Sequence, residues 1–211
     1  MERGALVAVA GSEWTTEVQR AHHLAESLLA DALPRRWAHT LGVGRRAFGC
    51  RDVVGDDANL LVAAALLHDV GYAPDLATTG LHALDGARHL RAVGFDERVV
   101  RLVAHHSCAE LEAELRGLGG ELAEFERPDP LCVDALTYCD MTTSPDGQET
   151  DVSSRLAGIV ERSGEGSVVG RFIVLADADI KATAARVEAL LGGVTGLSRR
   201  RACSGKHRGR G

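Results

Sequence analysis

The stretch DANLLVAAALLHD, residues 57–69, decides the fold, because it is apolar on nearly every side of the helix that it predicts. A helix that is apolar all round is buried in the middle of a protein rather than packed on its surface. Asp57 stands where the N-cap of this helix is expected, and Gly71 and Pro74 end the helical pattern. The stretch therefore predicts a central helix that is surrounded by other helices and ends on a histidine–aspartate pair.

The rest of the chain shows helical periodicity and no strand pattern. Aromatic residues make up only 4% of the sequence, so Leu, Val and Ala must fill the core, which favours close-packed helices over sheets. Residues 107–128 are acidic and interrupted by glycine, which predicts a short helix and a solvated loop. The other predicted helices cover approximately residues 13–33, 35–50, 82–93, 96–106, 129–141, 151–162 and 168–192. The predicted fold class is all-α, a helical bundle.

A length of 211 residues allows one domain with additional helices at its ends. We predict an N-terminal helix packing on the core within residues 1–33, a main helical domain over residues 34–145, and C-terminal helices that complete it over residues 146–195. Residues 196–211 are basic, rich in glycine and without periodicity, which predicts a disordered tail.

The formal net charge is −6, from 24 basic and 30 acidic residues. This balance argues against a general nucleic-acid or membrane-surface binder, because such proteins need a basic surface. No stretch approaches the roughly 18 apolar residues of a membrane-spanning helix, and Glu2 lies where a signal peptide would carry positive charge. The five cysteines include no C-x-x-C pair, so we expect a reduced protein in the cytoplasm.

Histidine and aspartate recur along the chain in a specific order, which runs His39, His68-Asp69, His82, His105-His106 and Asp140. A carboxylate at the end of the most apolar helix is costly to bury unless a cation or hydrogen bonds compensate its charge. Adjacent residues on a helix differ by roughly 100° in direction, so a neighbouring pair can flank one ion or reach two. Imidazole and carboxylate together suit iron, manganese or zinc. The pattern therefore predicts a metal centre with these seven residues as ligands.

The motifs AHTLGVG at 38–44, LLHDVGY at 66–72, HALDGARHL at 82–90, VAHHS at 103–107 and LTYCDM at 136–141 carry this order. Together they resemble the HD-domain superfamily of metal-dependent phosphohydrolases, over about residues 35–145. The resemblance implies a helical HD fold with a metal site in its centre. It also implies one ion held by four residues, which are His39, His68, Asp69 and Asp140. A second ion would be held by Asp69, His82, His105 and His106, with Asp69 bridging the two.

The resemblance further implies hydrolysis of a phosphate ester by water that one or two divalent ions activate, with Mn, Fe, Mg, Co or Zn as candidates. Asp69 and His106 are the predicted catalytic residues, and a histidine that metal does not saturate, His106 or His82, would protonate the leaving group. Arg155 and Arg162, seven residues apart beyond Asp140, are the predicted contacts to substrate phosphate. Solvated charges on a helix surface are the alternative for both arginines.

Two departures from the family pattern concern the substrate. Many members carry a lysine three residues after the motif aspartate, whereas Tyr72 and Ala73 occupy this region here. No Gly-Tyr-Pro motif follows His105-His106, so a cyclic-dinucleotide phosphodiesterase of the HD-GYP type is not predicted. A nucleotide, a dinucleoside polyphosphate or another small phosphorylated metabolite is the expected substrate, and nucleic acid is not an expected partner.

Some alternatives stay open at the level of sequence. His39, His82 or the pair His105-His106 could each be an ordinary core or surface histidine, and His89 is a reserve for His82 because it lies seven residues further on. A di-iron oxygenase of the inositol-oxygenase kind uses a similar fold and ligand pattern. A non-catalytic nucleotide-binding module is a further reading, and so is a nucleic-acid binder that relies on the RRR run at 199–201.

Overall fold

A computed structural model describes residues 15–204, with side chains as far as residue 193. Within that range the chain forms eleven α-helices and no strand, apart from one isolated bridge between Thr143 and Glu149. The predicted all-α bundle is therefore confirmed. The helices are α1 Thr16–Leu29, α2 Pro34–Gly49, α3 Arg51–Val54, α4 Ala58–Leu67, α5 His82–Ala92, α6 Glu97–His105, α7 Ala109–Arg116, α8 Gly119–Leu122, α9 Pro130–Met141, α10 Val152–Ser163 and α11 Val168–Ser204. Three short 3-10 turns cover Gly55–Asp57, Val70–Tyr72 and His106–Cys108.

Helix α4 is the centre of the bundle. Every residue from Leu61 to Leu67 is buried, and the helix packs against α1, α2, α6 and α9. Each leucine removed from water in this way contributes about 2 kcal/mol to folding. Because α4 is enclosed on all sides, the polar residues that follow its last turn are also held inside the protein.

The aspartates predicted to begin helices behave in two ways. Asp96 caps α6 by accepting a hydrogen bond from the backbone N–H of Arg98 at 2.7 Å. Asp57 occupies the N-cap position of α4, but its side chain makes no capping hydrogen bond. Asp57 is therefore the N-cap residue, as predicted, but its carboxylate pairs with the Arg98 guanidinium at 2.7 Å instead of with the helix N–H groups.

Other sequence expectations are corrected in detail. Residues 107–128 contain the predicted short helix as α7 and a second one as α8, and the loop after α8 is mostly exposed. The side chains of Leu122 and Phe125, each only 2% exposed, join the core instead of lying in solvent. Helix α11 continues to Ser204, beyond the predicted end near 192, so residues 196–204 of the predicted disordered tail are helical. No proline follows residue 192 to stop the helix. Residues 1–14 and 205–211 lie outside the described residues.

The last two helices pack over one end of the bundle. Met141 at the end of α9, Leu156 on α10 and Phe172 on α11 belong to a second apolar cluster with Ile173, Ala176 and Ile180. This packing holds α10 beside the end of α9, where Asp140 lies. Among the described residues, no helix is both long and apolar enough to cross a membrane.

Candidate metal centre

Five elements bring histidine and aspartate side chains to one point beside the end of α4. The side chains form two groups, and within each group the ligand atoms all lie within 4.8 Å of one another. The inner cluster consists of His39 from α2, His68 from the end of α4 and Asp140 from α9. The outer cluster consists of Asp69, His82 at the start of α5 and His106 just after α6. Six of the seven predicted ligands therefore lie together.

Backbone carbonyl groups orient three of the histidines. In each case Nδ1–H donates to a carbonyl oxygen outside the clusters, so Nε2 faces inward. The pairs are His39 with Ser144 at 3.0 Å, His68 with Ala65 at 2.8 Å, and His106 with Val103 at 2.7 Å. In a neutral imidazole that donates from Nδ1, the Nε2 atom carries a lone pair. The backbone therefore presents three metal-ligating nitrogens to the site.

The inner cluster is closed to solvent. His68 is only 1% exposed, and its buried Nε2 has no hydrogen-bond partner among the described residues. The Nε2 of His39 lies 3.1 Å from Asp140 Oδ1. Burial lowers the pKa of His68 to about 4, despite the opposing charges of Asp69 and Asp140. The cluster thus contains a neutral imidazole whose buried lone pair lacks a donor, which suits a divalent cation.

The outer cluster has the same kinds of ligand but borders the open cleft. His82 and His106 face each other with their Nε2 atoms 3.1 Å apart, and the His82 side chain is 15% exposed. Burial and the charge of the neighbouring His106 lower the pKa of His82 well below its usual value. Since His106 Nε2 carries a lone pair, a cation near both nitrogens would satisfy them together.

Asp69 lies between the clusters and faces both of them. Its Oδ2 is 3.5 Å from His68 Nε2, and its Oδ1 is 3.7 Å from His82 Nε2. The Arg36 guanidinium donates to Oδ2 at 2.5 Å. Burial acts to raise the pKa of Asp69, but the charges of Arg36, His68 and His82 outweigh it and lower the pKa. Asp69 is therefore ionised and is suited to bridge two ions.

Asp140 is held by a second set of donors. The Ser107 hydroxyl donates to its Oδ2 at 2.7 Å, and Arg155 Nη2 lies 3.4 Å from its Oδ1. Burial acts to raise the pKa of Asp140, but the close contact with His39 and the charges of His68 and Arg155 hold it well below its usual range. Sequence reasoning assigned no role to Ser107 or Arg36, although Ser107 ends the motif VAHHS.

His105 does not belong to the centre, so its prediction as a ligand is wrong. Both of its ring nitrogens are engaged elsewhere, Nδ1 with Glu110 Oε1 and Nε2 with the carbonyl oxygen of Phe125, each at 2.9 Å. The two histidines are neighbours at the end of α6, so their side chains point in directions roughly 100° apart, and only that of His106 faces the outer cluster. The backbone breaks just after this pair, where Ser107 and Cys108 adopt positive φ values of 51° and 61°, a conformation that costs non-glycine residues roughly 1–2 kcal/mol each. The break brings the Ser107 hydroxyl to Asp140.

The short connection after the histidine–aspartate pair sets the position of His82. The Asp85 carboxylate accepts hydrogen bonds from the backbone N–H groups of Thr78 and Thr79 and from the Thr78 hydroxyl, at 2.8–3.1 Å. Gly71 packs so tightly against α5 that a Cβ at this position would lie 2.0 Å from the His82 carbonyl oxygen. Glycine is therefore required there, and the compact connection brings His82 into the outer cluster. His89 belongs to neither cluster.

A cleft of about 300 Å³ opens over the two clusters. Its polar wall carries three arginines, Arg36, Arg155 and Arg162, and its apolar wall includes Met141, Ile159, Val169 and Phe172. Burial and the like charges of Arg155 and Arg35 lower the pKa of Arg162. Both arginines predicted to contact phosphate line this cleft, and Arg36 adds a third positive group.

Comparison with known proteins agrees with this geometry. The HD domain family model matches residues 36–144, just over half of the chain. The chain belongs to the HD domain family. All six residues of the inner and outer clusters lie within the matched segment of this HD domain protein, whereas Arg155 and Arg162 lie beyond it.

Curated relatives share a short segment with this HD domain protein. Ribonuclease Y of Rubrobacter xylanophilus is 38% identical over 76 residues, which are 36% of this chain and 15% of that protein. The tRNA (cytidine(56)-2'-O)-methyltransferase of Thermoplasma volcanium is also 38% identical over 76 residues, which are 36% of this chain and 22% of that protein. The chain thus spans about a fifth or less of the length of these relatives. No solved structure matches the chain.

Proposed function

We propose that this HD domain protein is a metal-dependent phosphohydrolase that acts on a nucleotide or another small phosphorylated metabolite. One observation carries the proposal, namely that the outer cluster and Asp140 of the inner cluster line a cleft whose wall bears three arginines. Metal-ligating groups next to fixed positive charges suit the transfer of a phosphoryl group, which carries negative charge throughout the reaction.

The residues of the inner and outer clusters would hold one or two divalent ions, with Mn, Fe, Mg, Co and Zn as candidates. When bound, such an ion lowers the pKa of a coordinated water towards about 7 and offsets the charge on phosphoryl oxygens. The inner cluster supports this assignment because the buried Nε2 of His68 lacks a partner among the described residues. The ionised Asp69 would be shared between the two ions.

The arginines would bind and orient the substrate. Arg155 Nη2 lies 3.3 Å from His39 Nε2, so a phosphate held by Arg155 would sit directly against the inner cluster. Arg162 lies about two turns further along the same face of α10 and would bind a second phosphoryl oxygen. The two arginines would supply the positive charge that many family members carry as a lysine three residues after the motif aspartate.

His106 and His82 would serve the leaving group. Where His106 holds no ion, its Nδ1 donates to the carbonyl oxygen of Val103, and a proton carried on Nε2 would pass to the departing oxygen. His82 Nε2 lies 3.1 Å away and would share this role. Both side chains line the cleft.

The proposed substrate is small and the proposed setting is the cytoplasm. A volume of about 300 Å³ lies at the lower end of the range for small-molecule pockets, roughly 300–1,000 Å³. The net charge of −6 also disfavours a long polyanion. The names of the two relatives refer to RNA, and an RNA substrate is therefore included in the test.

The test begins with metal analysis of the purified protein. Hydrolysis is then measured with Mn, Fe, Co, Mg and Zn against phosphomonoesters, phosphodiesters and a short RNA, with and without oxygen. We expect phosphate release from a small ester without oxygen. Oxygen-dependent loss of substrate without phosphate release would instead identify an oxygenase, and cleavage of the RNA alone would overturn the small substrate.

Asp69→Ala and Asp75→Ala form the matched pair of variants for this test. Asp69 faces both clusters, whereas Asp75 is an exposed aspartate in the connection that follows. We expect Asp69→Ala to lower activity by more than about 100-fold and to reduce metal content, since loss of groups that merely support a metal ligand costs 10–100-fold. Asp75→Ala should match the wild type. Retention of both metal and activity in Asp69→Ala would refute the site assignment.

A further inference from the structure

One carboxylate in the cleft belongs to neither cluster. Glu112 on α7 lines the cleft although its side chain is only 7% exposed. Its Oε1 accepts two hydrogen bonds from Arg116, from Nε at 2.9 Å and from Nη2 at 2.6 Å. No described group donates to its Oε2. A buried carboxylate therefore presents one oxygen that the protein itself leaves without a donor.

A purely structural role explains this arrangement poorly. Replacing a buried ion pair by apolar residues of similar size is often neutral or stabilising, so burial of Glu112 and Arg116 is weak evidence for a role in stability. Arg116 uses only Oε1, and Glu112 lines the cleft. A ligand in the cleft could therefore donate a hydrogen bond to Oε2.

The position of Glu112 indicates which part of a ligand it would meet. Glu112 lines the same cleft as Tyr72, whose ring stacks on His82. Arg116, which pairs with Glu112, lies beside Gly80, two residues before His82, since a Cβ at Gly80 would be 3.4 Å from Arg116 Nη1. Arg155 instead contacts His39 in the inner cluster. The acceptor therefore lies near the outer cluster, where the leaving group would be protonated under the proposed function.

The charges of the cleft define the kind of donor. The cleft wall carries Arg36, Arg155 and Arg162, which would repel a cationic group on the ligand. Arg116 already balances the charge of Glu112 at 2.6 Å, so a neutral donor is sufficient. A hydroxyl group meets both conditions.

We propose that Glu112 Oε2 accepts a hydrogen bond from a hydroxyl group on the alcohol portion of the substrate, and that it selects phosphate esters of hydroxylated compounds over their deoxygenated analogues. This inference rests on the proposed function and names the substrate class for that site. The apolar wall of Met141, Ile159 and Phe172 would cover the remaining, apolar part of the same molecule. A ribonucleotide combines a phosphate, neighbouring hydroxyl groups and an apolar ring system.

The experiment compares adenosine monophosphate with its dideoxy analogue, which lacks both ribose hydroxyl groups. For the metal-loaded wild type we expect kcat/KM to favour the hydroxylated compound by about 10- to 100-fold, the range of a hydrogen bond to a charged group. In Glu112→Gln this ratio should fall, because the acceptor loses its charge. Glu114→Gln removes the same charge from an exposed position on the same helix and should keep the wild-type ratio.

A double variant guards against a folding defect. Removing both partners together, in Glu112→Met with Arg116→Met, avoids leaving Arg116 buried without a counter-charge. Its ratio should approach one, with a cooperative thermal transition as evidence of folding. A wild type without preference, or a folded double variant that retains the preference, would overturn the role of Glu112.

A binding measurement separates this inference from the proposed function. The dissociation constants of the two nucleotides are measured by calorimetry on the metal-free full chain, where no turnover occurs. A preference that disappears in the double variant supports the role of Glu112 even if no phosphate ester is hydrolysed. Equal binding of both nucleotides by the wild type contradicts that role, and hydrolysis of either compound would still support the proposed function.

Discussion

The inner and outer clusters contain the same kinds of ligand in different surroundings. The inner cluster, His39, His68 and Asp140, is almost completely enclosed, and none of its members is more than 5% exposed. The outer cluster includes His82, whose side chain is 15% exposed at the cleft. Ligands that are already fixed and dehydrated lose little freedom when an ion binds. We therefore expect the inner cluster to bind an ion more tightly than the outer cluster.

The two clusters also differ in what holds their ligands. Backbone carbonyl groups fix both histidines of the inner cluster. In the outer cluster, side chains hold His82 in a stack. The Tyr72 ring lies 4.1 Å from the His82 ring, and the Arg36 guanidinium lies 3.5 Å from the Tyr72 ring. Side chains at the cleft can adjust when a ligand enters, whereas backbone groups cannot. We therefore expect the ligands of the inner cluster to keep their arrangement when a ligand enters the cleft, and His82 in the outer cluster to adjust.

The largest expected effect concerns His68→Gln and His82→Gln. His68→Gln removes the buried Nε2 of the inner cluster, and we expect it to lower metal affinity by more than about 100-fold and to abolish activity. His82→Gln should lose the weaker ion while retaining close to one tightly bound ion per chain. Metal content after dialysis, together with calorimetric titration, measures both effects.

Exposed His23 supplies the control, because His23→Gln should keep the wild-type metal content. If His68→Gln keeps its tight ion and His82→Gln loses it, the expected order of the two clusters is reversed. Equal losses in both variants would mean that the clusters bind as one unit.

The second prediction concerns the stability of the metal-free protein at acid pH. The pKa of His68 is 6.5 in its ordinary state and about 4 in the folded protein. Between these values the unfolded chain binds a proton that the folded chain does not bind, so the free energy of unfolding decreases as the pH falls from about 6.5 to about 4. His68 alone accounts for up to about 3 kcal/mol, and the lowered pKa of His82 acts in the same direction.

Denaturant unfolding in the presence of a chelator, at several values between pH 7 and pH 4, measures this slope. In His68→Gln the slope should be clearly smaller, while His23→Gln should follow the wild type. If the free energy of unfolding of His68→Gln depends on pH as it does in the wild type, burial of this imidazole does not control stability in acid. The pKa of His68 would then not distinguish the inner cluster from the outer one.

The smallest expected effect concerns Tyr72, whose ring supports the outer cluster. Tyr72→Ala removes the stack on His82, and we expect metal affinity at the outer cluster to fall about 5-fold, since an aromatic pair contributes roughly 1 kcal/mol. Tyr72→Phe keeps the ring and should stay close to the wild type. Titration of the weaker ion distinguishes the variants, and a matching fall in the affinity of the inner cluster would contradict separate support for the two positions.

Local sequence patterns predicted much of this molecule correctly. The uniformly apolar stretch before His68 predicted the buried central helix, because such a stretch cannot remain at a surface. The order of histidines and aspartates predicted six residues that lie in the two clusters. The short connection before His82 depends on Asp85 and Gly71, whose contacts become visible only in three dimensions.

The sequence by itself determined an all-helical HD domain with a histidine- and aspartate-rich centre, because burial of apolar residues and the spacing of ligands are local properties of the chain. Only the tertiary structure decided that His106 enters the centre while His105 turns away, because the ring nitrogens of His105 contact Glu110 and the carbonyl group of Phe125. It also brought Arg36 and Glu112 to the cleft from distant helices. Their roles depend on contacts between segments far apart in the chain, which no local pattern records.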